Sequence, residues 1–66
     1  MYKFRVYAKT TKMKRFKPLD MEELQFVTNP IHASMFTSEE LPKLKKYVQS
    51  LNELNPDYTF EIREIK

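Results

Sequence analysis

The chain has 66 residues, of which 41% are hydrophobic and 32% charged, and its net charge is +3. This is the composition of one small folded domain rather than of a disordered segment. It contains no cysteine and no glycine, which excludes disulfides and the glycine-built phosphate loops of Walker and Rossmann type, whose backbone positions tolerate only glycine.

Residues 2–9 alternate. Tyr2, Phe4, Val6 and Ala8 fall on one side and Lys3, Arg5, Tyr7 and Lys9 on the other. That is the period of a half-buried strand with its even-numbered face on the core. The same alternation differs from the continuous apolar stretch of a signal peptide. No apolar run approaches the roughly 20 residues that span a bilayer, so the expectation is a soluble cytoplasmic protein. Residues 10–13 (TTKM) read as a turn, and residues 14–18 (KRFKP) as a short returning strand with Phe16 inward. Pro18 has no N–H for a ladder and belongs at the strand end or on an edge.

Residues 19–36 show no sustained period. Asp20 and Glu23 have the spacing of an N-cap and a third helical residue, yet LQFV fits a strand equally well. After Asn29-Pro30, Ile31, Ala33 and Met35 alternate. The expectation is one short strand within 24–35.

Thr37 and Glu40 have capping-box spacing, flanked by Phe36 and Leu41 at the positions of a hydrophobic staple. Pro42 points to a tight TSEE turn and a helix that opens at Pro42. Leu41, Leu44, Val48 and Leu51 form one apolar stripe, with Lys43, Lys45, Lys46, Gln49 and Ser50 outside it. Asn55 is placed as a left-handed cap and Pro56 as the stop. In the last strand, 58–65, Tyr58, Phe60 and Ile62 face inward and Thr59, Glu61 and Arg63 outward. One apolar face per element gives two layers. The expected fold is a single α+β domain over 1–66, a small antiparallel or mixed sheet of roughly three to four strands with one helix packed across it.

Little catalytic chemistry is on offer. His32 is the single histidine, so two- and three-histidine metal sites are unavailable. Glu39 and Glu40 at a helix start suit the macrodipole and the cap better than paired-carboxylate catalysis. The expectation is a non-enzyme with no cofactor, no metal, no small-molecule substrate and no membrane partner.

The charge is unevenly distributed. Residues 1–19 hold Lys3, Arg5, Lys9, Lys12, Lys14, Arg15 and Lys17 and no acid, leaving nine acids and five bases in 20–66. The candidate interaction surface is Arg5, Tyr7, Lys9, Lys12, Lys14, Arg15 and Lys17. One reading is a contact with an acidic protein surface, the basic run also keeping the hairpin soluble. The other is nucleic acid, with Tyr7 stacking a base and the cations on phosphates. Glu61, expected beside Arg5 or Lys3, offsets part of the charge. A small core without a disulfide or metal also favours a homodimer, formed through an open sheet edge or through exposed aromatic residues.

The run ASMFTSEELPKLKKYVQSLNELNPDYTFEIREI resembles a pattern in many short proteins of phages and mobile elements of Gram-positive bacteria. There an Ala and a Phe precede a Thr-Ser-Glu-Glu helix start, and an Asn-Pro break leads into a closing strand. The likeness covers about half the chain and carries over no functional residue. Pro42 departs from it. What the resemblance implies is an accessory protein of a mobile element that modulates a host protein.

Overall fold

The computed structural model describes residues 2–65. Five strands and one helix follow in the order β1 (Lys3–Thr10), β2 (Lys17–Asp20), β3 (Gln25–Phe26), β4 (Met35–Thr37), α1 (Leu41–Leu54) and β5 (Tyr58–Ile65), with a 3-10 turn at Pro30–His32. The α+β expectation holds: one antiparallel sheet carries one helix.

β1 is the hub. One of its edges pairs with β5 along its whole length, from Lys3 opposite Ile65 to Thr10 opposite Tyr58. Its other edge is shared. β4 takes the first half, with Phe4 opposite Phe36, and β2 takes the second, with Ala8 opposite Lys17. β3 extends β2, with Leu19 opposite Phe26. Cross-strand partners share a face, so Phe4, Val6, Ala8, Leu19, Phe36, Phe60 and Ile62 all turn toward α1. The core is Val6, Ala8, Leu19, Met21, Leu44, Val48 and Leu51, with Phe36, Phe60 and Ile62 packed against it. The predicted helix stripe is therefore the buried one.

Several local expectations are corrected. The returning strand starts at Lys17, because Thr11 and Lys12 make the turn and residues 13–16 form an irregular link. Phe16 lies on the outer side of the sheet, within cation–π distance of Lys9 and Arg63. Tyr2 precedes the strand and is 62% exposed. Asp20 caps no helix. Its Oδ1 accepts from the Glu22 N–H and the Ser34 hydroxyl, while Ser34 Oγ accepts from the Met21 N–H. These bonds tie the end of β2 to the segment entering β4. The alternation expected of Ile31, Ala33 and Met35 holds only at Ala33, which is buried: Ile31, inside the 3-10 turn, and Met35 are exposed, and Phe36 packs against the core. The strands in this region are only two and three residues long.

The helix begins at Leu41, with Pro42 second, inside the first turn, where its missing N–H has no helical partner to lose. The expected capping box does not form at the helix start, where Glu40 is the N-cap without a side-chain cap bond; the Thr37–Glu40 pair closes the turn ahead of it instead. Glu40 Oε1 accepts from both the Thr37 N–H and the Thr37 hydroxyl, and the Glu40 N–H donates to Thr37 O. Asn55 is not left-handed, with φ −127°. It ends the helix by donating its N–H and its Nδ2 to Leu51 O. Asn52 reaches from the last turns of α1 to β5, donating to Phe60 O at 3.1 Å and accepting from the Phe60 N–H at 2.8 Å.

Leu24 alone among the described non-glycine residues has positive φ, 54°. A turn position that would suit glycine is filled by a 47% exposed leucine. Left-handed backbone costs a side-chain-bearing residue about 1–2 kcal/mol, and glycine's extra unfolded-state entropy offsets about 0.4–1 of that. Leu24→Gly is expected to stabilise the fold by about 0.5–1 kcal/mol, a rise in melting temperature of about 2–8 °C for a domain of this size. A lower melting temperature by calorimetry would show that the Leu24 side chain contributes more than its strained backbone costs.

Candidate functional site

Since α1 covers one face of the sheet, the other face is left to solvent. Register places Lys3, Arg5, Tyr7 and Lys9 of β1 there, beside Thr59, Glu61, Arg63 and Ile65 of β5 and Met35 and Thr37 of β4. Arg5 stands directly opposite Arg63 on one side and Met35 on the other. Like charges in that relation repel, and the way the two arginines are held differs.

Arg63 is engaged. Its guanidinium lies 4.6 Å from the Tyr7 ring centre and 5.2 Å from that of Phe16, and its Nε ion-pairs with Glu61. Lys9 Nζ lies 5.1 Å from the Phe16 ring centre. The two rings and two cations form one assembly, in which each cation–π contact contributes about 0.5–1 kcal/mol at such half-exposed sites. Glu61 is opposite Tyr7 rather than beside Arg5 or Lys3, so its charge is spent within β5. Arg5 has no carboxylate within ion-pair distance among the described residues, and its Nε is buried without a hydrogen-bond partner.

Of the candidate residues, the structure brings Arg5, Tyr7 and Lys9 together on this face. Lys12, Lys14 and Arg15 are exposed in the link between β1 and β2. That link is fixed to the turn preceding β5 through a Thr11 N–H to Asp57 O bond of 3.1 Å. Lys17 is separated from them, because its position opposite Ala8 gives it the parity of the helix side. Sequence reasoning missed Arg63 as a member of the site. The outward alternation of β5 was readable, but not which β1 residue it would meet.

An apolar cleft of about 410 Å³ opens on the helix side of the sheet, between β3 and the exit of α1. Leu19, Leu24, Phe26, Leu51, Tyr58 and Phe60 line it. Tyr58, expected inward, is 40% exposed and stacks with Phe26 at 6.5 Å and Phe60 at 5.8 Å. The polar groups there are Gln25, Asn55 and the tyrosine hydroxyl, which suit apolar contact rather than acid–base chemistry. His32 is exposed in the 3-10 turn. Among the described residues no cluster of three or more His, Cys, Asp or Glu could hold a metal, and no helix is long and apolar enough to cross a membrane. No protein-family model matches the chain, and neither a curated protein nor a solved structure is significantly similar to it.

Proposed function

We propose that this chain is a small non-enzymatic binding module that docks on an acidic protein surface through the outer face of its sheet and the adjoining basic link. The observation that carries this reading is the arginine pair. Arg5 and Arg63 face each other across β1 and β5, and among the described residues Arg5 has no acid of its own. Guanidinium groups bind carboxylates through paired, directional hydrogen bonds. Met35 and Ile65 flank the pair on the same face and supply adaptable apolar contact. The likeness to mobile-element proteins fits an accessory role on a host protein.

Nucleic acid is the alternative, favoured by the number of cations around two rings on one open face. Against it, Tyr7 and Phe16 already hold Arg63 and Lys9, so these rings are less free to stack a base. The two readings separate in a capture experiment from bacterial lysate, with and without nuclease. A protein that remains bound after nuclease, and is released when Arg5→Gln and Arg63→Gln are combined, supports the first. Recovery of nucleic acid alone, released by moderate salt, replaces it with the second. In that case changing Lys12, Lys14 and Arg15 together to Gln should flatten the logarithmic salt dependence of binding by about 2–3, at roughly 0.7–0.9 for each phosphate no longer neutralised.

A further inference from the structure

In an antiparallel strand each residue turns its N–H and C=O to the same side, and the side alternates along the chain. Both backbone groups of Phe60 are bonded to Asn52, so Phe60 faces away from β1. Ile62 and Glu64 must do the same. This outer edge of β5 has no strand against it among the described residues. Beside it, between α1 and β5, runs an open groove of about 430 Å³ lined by Lys45, Val48, Gln49, Asn52, Phe60 and Ile62.

β5 is complementary to itself in one antiparallel register. With Ile62 on a two-fold axis, Ile62 meets the Ile62 of a second copy, while Glu61 and Arg63 each meet the opposite charge, a favourable cross-strand arrangement. The hydrogen-bonded pairs on either side of the axis join Phe60 to Glu64 of the other copy. Those Phe60 groups are the ones that the Asn52 carboxamide occupies. The neighbouring register, centred on Arg63, needs only Ile62 and Glu64, but it sets two arginines against each other at the closest strand spacing.

We propose that the outer edge of β5 is a strand-addition site for a second copy of this chain, held shut by Asn52. The side-chain amide acts as a short piece of strand, filling the Phe60 position so that the edge offers no continuous ladder. Edges left bare invite such pairing, and displacement of Asn52 exposes the register in which two copies fit.

Sedimentation of Asn52→Ala tests this. It should run as a dimer at about 100 µM, at least about tenfold tighter in self-association than the parent chain, which should run as a monomer there. Adding Arg63→Glu should break the dimer, and adding Glu61→Arg to that variant should restore it, because the swap rebuilds the cross-strand charge pairs. A folded Asn52→Ala chain that stays monomeric, a dimer indifferent to the charge reversal, or a parent chain already dimeric through this edge would overturn the proposal. Should Asn52→Ala not fold, hydrogen exchange of the parent chain decides. The Phe60 amide should exchange at least about tenfold more slowly than those of Ile62 and Glu64, and equal rates refute the stop.

Discussion

Val48→Asp is expected to leave the chain unfolded at 25 °C. Val48 is 6% exposed and sits in the helix stripe between Leu44 and Leu51, in the same cluster as Val6, Phe60 and Ile62. The substitution removes about 1.5–3 kcal/mol of apolar burial. It also places a carboxyl where no donor waits, at a cost of about 1–3 kcal/mol on mutational scales even after it takes up a proton. A domain this small holds only about 3–5 kcal/mol, so the substitution consumes most or all of the stability. Circular dichroism and the dispersion of amide proton shifts report the outcome. Lys46→Asp, on the exposed side of α1, is the matched control and should shift the melting temperature by only a few degrees, about 0.5 kcal/mol. A native Val48→Asp spectrum would mean that α1 buries a different side.

Combining Arg5→Gln with Arg63→Gln should weaken the proposed acidic partner's binding by about 10²- to 10⁴-fold. The range follows from two charge-assisted contacts at about 1.5–3 kcal/mol each. The fold should survive, since Arg63 contributes only exposed contacts, an ion pair and two cation–π approaches, each about 1 kcal/mol or less. Titration by calorimetry, with the melting temperature as a check, separates a binding defect from a folding defect. Lys17→Gln should change affinity less than about threefold, because Lys17 carries the helix-side parity and long-range steering is screened beyond about 8–10 Å. Equal effects of Lys17→Gln and the arginine pair would point to diffuse attraction instead of a docking face.

What the sequence made legible tracks element length. The eight-residue alternations of β1 and β5 and the stripe Leu44-Val48-Leu51 repeat often enough to reveal their buried faces. Gln25–Phe26 and Met35–Thr37 are too short to show any period; β2 and β1 lend them partners, so pairing rather than propensity makes them strands. Phe16 was misplaced because the irregular link breaks the alternation before Lys17. The basic residues of the candidate face were plain in the chain, whereas Arg63 joined them only through the pairing of β5 with β1. Asn52 carried no signal at all, since an asparagine on the flank of an amphipathic helix looks solvent-bound until the strand beneath it is known.

The pairing of Lys3 with Ile65 has a consequence for how this chain comes to be folded. The two longest strands are also the two farthest apart in sequence, so the central ladder closes one loop that contains everything else. Such long-range closure slows folding relative to a chain of local contacts, even though the entropy of closing a longer loop grows only logarithmically. During synthesis β1 emerges early, and its entire longer edge then waits for β5. The β2–β3 hairpin, with a two-residue second strand, is too small to hold itself together meanwhile. The central ladder therefore closes only once Tyr58–Ile65 is available, and a nascent chain halted in the helix leaves the β5 side of β1 an open edge even where β2 and β4 pair with its other side.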